Sequence, residues 1–403
     1  MPMARDIGGR AGGALPSGSA SASGAAIGGT GIAAITAASM PAAGAGHGIS
    51  AGGAGGADPL RAHPVRRHHG RKAARRNRQT MPNRILLCRR LHPAGQALLD
   101  ARSDLDIVTL HDPPVEQFHQ HLSSADAVLC WLEKVDQAAL AVAPRLKVVS
   151  RYGVGFDTVD ISACTARDIP VMVTNGANDL SVAEHAMMLM LAVARRGLDH
   201  HRHVAAGGWW DGPDPRMVDL AGRRVLVVGY GRIGSRVASY CRAFRMEVMV
   251  MDPGFHPARI AADGFTPVRD LHEGLRQADV VTLHCPLSPA TRHLMDEAAF
   301  AALKPGAILV NTARGPIVSQ AALVAALRGG RLQGAGLDVL EVEPSDASNP
   351  LFALPNVVVS PHNAASTEEG LARMARQAAQ NILDVLDGRR DPAFMVNAEI
   401  ARA

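Results

Sequence analysis

The chain has 403 residues, 47% of them hydrophobic, which is enough for two domains with buried cores. Its formal net charge of +5 comes from residues 1–80, which contain ten Arg or Lys and two Asp, whereas the remainder contains 32 basic and 35 acidic residues. The charge therefore gives no reason to predict that the body of the chain binds nucleic acid. No apolar run in the sequence is long enough to predict a membrane span.

Residues 1–80 are rich in Gly, Ala and Ser and become basic between Arg61 and Arg78. Such a composition predicts a disordered extension. Met81 is followed at once by a strand pattern, which favours an extension without a role in catalysis over an RNA-binding tract or an organelle transit peptide. The five cysteines are scattered without metal-ligand spacing, which predicts free thiols in a reducing cytoplasm and no metal site.

From Met81 onward the sequence alternates short apolar strands with helices, which predicts α/β architecture. The first group of predicted strands spans residues 85–87, 107–110, 127–130, 147–150 and 171–173. A second group predicts a doubly wound dinucleotide-binding sheet of six strands, at residues 225–228, 248–251, 280–284, 307–311, 336–340 and 357–360. Predicted helices include residues 115–123 and 181–195.

The last predicted helix opens at Ser366-Thr-Glu-Glu369, which has the spacing of a capping box. Its apolar residues recur at helical spacing, which places them on one face. They are Leu371, Met374, Ala375, Ala378, Ile382 and Leu386. We expect this face to pack back against the first group of strands.

The motif Gly229-x-Gly231-x-x-Gly234 lies between the strand at 225–228 and a predicted helix. Its first glycine permits the tight turn, the second allows backbone to approach a pyrophosphate, and the third allows close helix–strand packing. The N-terminus of the helix offers free N–H groups to that pyrophosphate. Asp252 ends the next strand, where its carboxylate accepts a hydrogen bond from a ribose 2′-OH and repels a 2′-phosphate, so NAD is predicted over NADP.

Three polar residues follow late strands of the second group, at the edge where α/β sheets bind ligands: Arg314, Glu343 and His362. Taken singly, each residue has an ordinary structural explanation. Arg314 could be a surface arginine, Glu343 a loop carboxylate and His362 a helix-cap histidine. Together, beside a nicotinamide site, they supply an anion clamp, an orienting carboxylate and a general base. This set predicts hydride transfer.

At this point a family resemblance is evident over residues 84–386. The chain resembles the NAD-dependent D-isomer-specific 2-hydroxyacid dehydrogenases through Arg151-Tyr-Gly-Val-Gly-Phe-Asp157, Val182-Ala-Glu-His185, the glycine turn, His284-Cys-Pro-Leu287, Asn311-Thr-Ala-Arg-Gly315, Gly336-Leu-Asp-Val339 and Pro361-His362. The resemblance implies a Rossmann cofactor domain at residues 177–365, inserted in a smaller flavodoxin-like substrate domain at 81–176 that is completed by 366–403. It also implies NAD-dependent oxidation and reduction of a small D-2-hydroxy or 2-oxo acid at its CH–OH group.

The resemblance also implies roles for individual residues. His362 would exchange a proton with the substrate oxygen, Glu343 would fix the imidazole tautomer, and Arg314 would bind the substrate carboxylate. Backbone N–H groups of Gly153, Val154 and Gly155 would cradle that carboxylate. The cofactor would be bound by Gly229, Gly231, Arg232, Ile233, Gly234, Asp252, Cys285, Thr312, Ala313 and Asp338.

The resemblance further implies a homodimer, formed in part by the Met-rich helix at residues 184–195. Structurally, methionines at this spacing are equally consistent with plain core, because Met fills irregular gaps. No membrane partner and no nucleic-acid partner is expected.

The loop Cys130-Trp131-Leu132-Glu133 departs from the pattern of phosphoglycerate dehydrogenases, which often carry an arginine at the position of Cys130. Without that cation, the sequence predicts an unphosphorylated substrate of the glyoxylate or hydroxypyruvate type. The first alternative is a D-3-phosphoglycerate dehydrogenase that uses Lys134 or Arg151 for phosphate. An alternative of another class is an NAD-sensing, corepressor-like partner protein.

Overall fold

The computed structural model describes residues 81–212 and 217–402, which form two parallel sheets covered by helices. The predicted extension at residues 1–80 lies outside the described residues. Apolar side chains from both faces of each sheet form four buried clusters among the described residues. The α/β class predicted from the alternating pattern is confirmed.

The first sheet contains five strands in the order β2-β1-β3-β4-β5, which is the flavodoxin-like order. The strands are β1 (Asn83–Leu87), β2 (Leu105–Thr109), β3 (Ala127–Cys130), β4 (Val148–Arg151) and β5 (Val171–Met172). The helices between them are α1 (Pro93–Asp100), α2 (Val115–Leu122), α3 (Gln137–Ala141) and α4 (Ile161–Ala166). Every residue of β3 and β4 is buried, as expected for central parallel strands with helices on both faces.

The second sheet has the order β12-β11-β10-β9-β6-β7-β8. Six of these strands reproduce the doubly wound dinucleotide-binding order, and β12 adds one more at the edge. The strands are β6 (Arg224–Val228), β7 (Glu247–Met251), β8 (Thr266–Pro267), β9 (Val280–Leu283), β10 (Ala307–Asn311), β11 (Leu332–Leu337) and β12 (Val357–Val359). The helices are α5 (Asp179–Ala194), α6 (Gly197–Ala205), α7 (Arg232–Ala243), α8 (Pro257–Ala262), α9 (Leu271–Gln277), α10 (Glu297–Ala302), α11 (Gln320–Arg328) and α12 (Glu368–Leu386).

Two strand predictions for this sheet were wrong. The described residues form seven strands rather than six, because β8 is a two-residue edge strand that contains Pro267 and gives no apolar run. The strand predicted at residues 336–340 is β11, which begins at Leu332 and ends at Leu337. Gly334 and Gly336 interrupt its apolar pattern, so the start of the strand was not predicted. Glycine is needed at position 334 because a Cβ there would meet the carbonyl of Asn356.

The capping box predicted at Ser366 was also wrong. Helix α12 begins at Glu368, and its N-cap is Thr367, whose hydroxyl accepts from the Gly370 N–H at 3.0 Å. Ser366 belongs to the preceding turn, where its N–H donates to the carbonyl of Asn363. The predicted apolar face of α12 is confirmed, because it packs on α1, β3 and β4 of the first sheet.

The Met-rich helix is mostly core. Met187 and Met190 of α5 are buried against the second sheet, while Met188 is 45% exposed. Helix α6 follows it and buries none of its residues. In the part of the chain that the structure describes, no helix has both the length and the apolar character to cross a bilayer.

Candidate active site

A cleft of about 260 Å³ lies between loops that follow the carboxyl ends of strands in both sheets. The loop after β4 contributes one wall, and the loops after β9, β10, β11 and β12, with α5 and α7, contribute the rest. The lining residues are Val154, Gly155, Phe156, Asp157, Asn178, Val182, Ile233, His284, Cys285, Pro286, Leu287, Thr312, Ala313, Arg314, Asp338, His362, Ala364 and Ala365.

The glycine turn joins β6 to α7 and has the geometry that a bound pyrophosphate needs. Gly229 has φ of +95°, and a Cβ there would lie 2.6 Å from the backbone nitrogen of Cys285. A Cβ at Gly234 would strike the carbonyl oxygen of Gly229, so only glycine permits this helix–strand packing. Gly231 is the N-cap of α7, and no atom lies within 4 Å of its missing Cβ. The turn is therefore open on the side that a ligand would approach.

The first turn of α7 leaves donors free. The N–H groups of Arg232 and Ile233 have no acceptor in the described part of the chain. Together with the positive end of the helix dipole, they favour an anionic group at this place.

Asp252 follows β7 directly and is fixed by the turn. Its Oδ2 accepts from the Tyr230 N–H at 2.6 Å, and its Oδ1 accepts from the Gly254 N–H at 2.8 Å. The carboxylate is half-buried and beside the glycine turn, where the ribose of a dinucleotide bound there would lie.

Three buried polar atoms that belong to cleft-lining residues have no protein partner among the described residues: Asn178 Oδ1, His284 Nδ1 and Thr312 Oγ1. Burial lowers the pKa of His284 to about 3, so its imidazole is neutral at physiological pH. Buried polar groups are costly to leave unpaired. These three atoms therefore fit a polar ligand in the cleft.

Asp338 follows β11 and organises the loop that carries the histidine. Its Oδ1 accepts from the Ser360 hydroxyl at 2.6 Å and from the Asn363 N–H at 3.0 Å, and its Oδ2 accepts from the Ala364 N–H at 3.0 Å. His185 lies 2.8 Å from the Ser360 hydroxyl through Nε2. The Asp338 carboxylate lines the cleft, but both of its oxygens accept hydrogen bonds from the protein.

His362 and Glu343 form a hydrogen-bonded pair. The imidazole Nδ1 lies 2.7 Å from Glu343 Oε2, and Glu343 Oε1 accepts from the Leu340 N–H at 2.8 Å. Because the Nδ1 position is occupied, Nε2 is the atom that is available for proton exchange with a ligand in the cleft.

Arg314 is held by the opposite wall. Its Nε donates to Asp157 Oδ1 at 2.9 Å and its Nη1 donates to the Ala313 carbonyl at 2.7 Å. Burial alone would raise the pKa of Asp157, but the charge of Arg314 and its hydrogen bond outweigh burial and hold that pKa below its usual range. The pair therefore stays ionised at neutral pH and fixes the guanidinium plane.

The remaining amino group of Arg314, Nη2, faces the loop after β4. A Cβ at Gly155 would overlap Nη2, so glycine is required for this approach. The N–H groups of Gly153, Val154 and Gly155 donate to no acceptor in residues 81–212 and 217–402. The three N–H groups and Nη2 are therefore donors of neighbouring residues that have no partner among the described residues, and such donors suit a carboxylate.

Comparison with known proteins identifies the family of this chain. A model of the "D-isomer specific 2-hydroxyacid dehydrogenase, NAD binding domain" matches residues 187–364. A glyoxylate reductase from Aeropyrum pernix is 37% identical over 327 residues, which cover 79% of this chain and 97% of that protein. This chain belongs to the D-isomer specific 2-hydroxyacid dehydrogenase family.

Other relatives have different substrates in their names. A D-3-phosphoglycerate dehydrogenase from Mycobacterium tuberculosis is 37% identical, and the match covers 79% of this chain and 60% of that protein. The solved D-lactate dehydrogenase from Aquifex aeolicus, complexed with NAD and lactic acid, has a TM-score of 0.70 and 27% identity, and covers 78% of this chain and 99% of its own.

For this dehydrogenase, the cofactor follows from the matched domain. Residues 187–364 contain the glycine turn, Asp252 and two of the three unpartnered polar atoms, those of His284 and Thr312. Those features fit a bound dinucleotide, and NAD is the cofactor.

The loop after β3 and the end of β4 lie beside His362 and contain no exposed arginine. Cys130 is buried at the end of β3, and Arg151 beside it is only 3% exposed. The Arg151 guanidinium donates to the Gly155 carbonyl at 2.8 Å and to Cys130 Sγ at 3.8 Å. Arg151 therefore supports the loop after β4 and has no free face for a phosphate. Trp131 lies 6.3 Å from His362, ring centroid to ring centroid.

Sequence reasoning did not assign roles to Asp157 or Ser360. Asp157 ends the Gly-Val-Gly loop, so a carboxylate two residues beyond a predicted anion cradle was a signal for an arginine partner. Ser360 ends the run that contains β12, and nothing in its spacing indicates that it bridges His185 and Asp338.

Proposed function

We propose that this protein is an NAD-dependent reductase of a small, unphosphorylated 2-oxo acid, which it converts to the D-2-hydroxy acid. The observation that carries the proposal is the 2.7 Å contact between His362 Nδ1 and Glu343 Oε2 in the cleft that also contains Arg314. His362, Glu343 and Arg314 thus supply a proton donor, an orienting carboxylate and an anion clamp at one cleft.

Each residue has a distinct role in the proposed reaction. Arg314 Nη2 and the N–H groups of Gly153, Val154 and Gly155 hold the substrate carboxylate. The Asp157 carboxylate keeps the guanidinium in plane through its 2.9 Å hydrogen bond with Nε. This arrangement orients the substrate before reaction and lowers the entropic part of the barrier.

His362 delivers a proton from Nε2 to the carbonyl oxygen during reduction and takes it back during oxidation. Glu343 accepts from Nδ1, which fixes the tautomer and the orientation of the ring. Bound NADH supplies the hydride. The cofactor positions proposed for this domain are Gly229, Gly231, Arg232, Ile233, Gly234, Asp252, Cys285, Thr312, Ala313 and Asp338, the last acting by ordering residues 360–364.

The side group of the substrate is proposed to be uncharged. Cys130 provides no cation, Arg151 is committed to the protein interior, and Glu133 adds a carboxylate to the same loop. A doubly charged phosphate therefore meets little positive charge from this loop.

Phosphoglycerate dehydrogenase activity is the second candidate, because relatives of that name match the chain at 37% identity. It would require a cation for the phosphate, either Lys134, which is exposed, or Arg89, whose guanidinium lies over the Trp131 ring.

A homodimer in the cytoplasm completes the proposal. The support for the dimer is the segment from α6 to residue 212, in which no residue of α6 is buried and Trp210 is 94% exposed. The support for the cytoplasm is that all five cysteines are free.

The test is NADH oxidation by the full chain with glyoxylate, hydroxypyruvate, phenylpyruvate and phosphohydroxypyruvate in parallel. We expect the highest kcat/KM for an unphosphorylated acid. Preference for phosphohydroxypyruvate would instead support the phosphoglycerate dehydrogenase. NADH binding without turnover of any acid would refute both reactions and direct attention to a protein partner.

A further inference from the structure

We infer that Arg89, stacked on Trp131, is a specificity-determining residue that selects substrates with a hydroxyl group on the carbon next to the carbonyl. The inference rests on the proposed function and names the side group that the site recognises. It concerns a wall of the site that comes from the first sheet.

Arg89 and Trp131 come from neighbouring strands of that sheet. Arg89 follows β1 and Trp131 follows β3, and these two strands pair in parallel, so the residues after their carboxyl ends meet. The Arg89 guanidinium carbon lies 3.9 Å from the centroid of the Trp131 ring. This distance is typical of a cation–π stack, which holds the guanidinium flat on the indole.

The stack leaves the donors of Arg89 unused. Among the described residues, Arg89 has no hydrogen-bonding or ion-pair partner, although its side chain is half-buried. A guanidinium has five N–H donors in its plane, and stacking occupies the face of the group rather than its edge. Arg89 therefore presents a planar set of donors that the protein itself does not use.

The position of the stack relates it to the reacting atoms. The Trp131 ring centroid lies 6.3 Å from that of His362, so the Arg89 guanidinium is within about 10 Å of the imidazole. The carbonyl oxygen of a bound 2-oxo acid faces His362, and its carboxylate faces Arg314. The third substituent on the reacting carbon, the side group, is the part that is left to extend toward Trp131 and Arg89, hereafter the rim. This pair lies on the Trp131 side of His362, outside the residues that line the cleft.

The charge of this rim decides between a hydroxyl and a phosphate. Glu133 Oε2 accepts from the Trp131 N–H at 2.7 Å, so the loop that carries the stack also carries a carboxylate. Of the charged groups that contact Trp131, the Arg89 guanidinium and the Glu133 carboxylate offset each other, which disfavours a doubly charged phosphate at the ring. Arg90 and Lys134, which adjoin them in the chain, are exposed. A hydroxyl oxygen accepts a hydrogen bond from Arg89 without bringing a charge of its own.

The experiment compares hydroxypyruvate with pyruvate, which differ only in this hydroxyl group, with glyoxylate as the substrate that has no side group. In the full chain we expect Arg89→Met to lower kcat/KM for hydroxypyruvate about tenfold, as for the loss of one hydrogen bond to a charged group. For pyruvate and glyoxylate we expect a change of less than about twofold. Arg90→Met is the matched control, because Arg90 is the neighbouring arginine and is exposed.

Two further variants separate recognition from folding. Trp131→Phe weakens the stack and should give a smaller loss in the same substrate-selective direction, while Arg89→Lys keeps the charge but not the planar fork. NADH binding, measured by fluorescence, should stay the same in all of them.

The outcomes separate the inference from the proposed function. Equal losses for hydroxypyruvate and pyruvate, or no loss for either, would overturn the role of Arg89 while leaving the reductase in place. A selective loss with phosphohydroxypyruvate would overturn the choice of a hydroxyl. A wild-type chain that reduces none of the acids would overturn the reductase itself, and the inference with it.

Discussion

The backbone of His362 is as unusual as its side-chain pairing. Its φ is +50°, a left-handed conformation that costs a non-glycine residue about 1–2 kcal/mol. The surrounding bonds hold it there, because its N–H donates to the Asp338 carbonyl at 2.8 Å and the next two N–H groups donate to the Asp338 carboxylate. Strain at this place is consistent with a side chain that must point into the cleft at a fixed angle.

His362→Ala tests the proton donor. We expect turnover to fall by about 10²–10⁴-fold, the usual range for loss of general acid–base catalysis, with NADH affinity unchanged. His293→Ala is a close control, since His293 also has a positive φ and lies 2.6 Å from a glutamate, Glu341, but does not line the cleft. Comparable losses in the two variants would mean that a His–Glu pair matters here for stability rather than chemistry.

At the scale of elements, the position of each strand end decides which residues reach the site. The periodicity of apolar residues predicted the strands of the doubly wound sheet, and the glycine spacing predicted the turn. Both could be predicted because each pattern is local in the sequence. The structure requires glycine at positions 229 and 234, because a Cβ at either would strike backbone atoms. This requirement is why the glycine spacing is visible in the sequence.

Contacts between distant elements were not predictable in this way. Arg314 and Asp157 are 157 positions apart, and only the packing of the second sheet against the loop after β4 brings them together. The stack of Arg89 on Trp131 depends on the pairing of β1 with β3, which a strand pattern does not specify. The two-residue strand β8 was not predicted, because two residues are too few to show a periodicity.

A substitution of Asp252, which follows β7, tests whether this strand end selects NAD over NADP. Asp252→Asn keeps the size of the side chain but removes the charge that would repel a 2′-phosphate. We expect the preference for NADH over NADPH, measured as a ratio of dissociation constants by fluorescence titration, to fall about tenfold. Glu247→Gln at the opposite end of β7, where Glu247 is exposed and pairs with Arg224, should leave the ratio unchanged. An unaltered ratio in Asp252→Asn would place cofactor selectivity elsewhere.

At the scale of the whole molecule, neither sheet carries a complete site. The second sheet supplies the histidine, its glutamate and the arginine, while the loops of the first sheet supply the proposed carboxylate cradle, the aspartate partner of Arg314 and the tryptophan beside His362. Helix α12 returns from the second sheet to pack on α1 and β4, which ties the two halves together. The proposed reaction therefore depends on the contacts between these halves.

The segment from α6 to residue 212 is the surface that we propose for the dimer. Trp209 and Trp210 are 66% and 94% exposed, and Val204 of α6 is 47% exposed, which leaves an apolar area that a second copy would cover. We expect the full chain to have twice the mass of one chain in light scattering, and Trp210→Glu to raise the dissociation constant of the dimer about 30-fold or more, since buried tryptophans dominate interfaces. Val115→Glu, in helix α2 beside the first sheet and 62% exposed, should leave the mass unchanged. A wild-type chain with the mass of one copy would contradict the dimer, and a Trp210→Glu variant that dimerises as tightly as the wild type would show that the interface lies elsewhere.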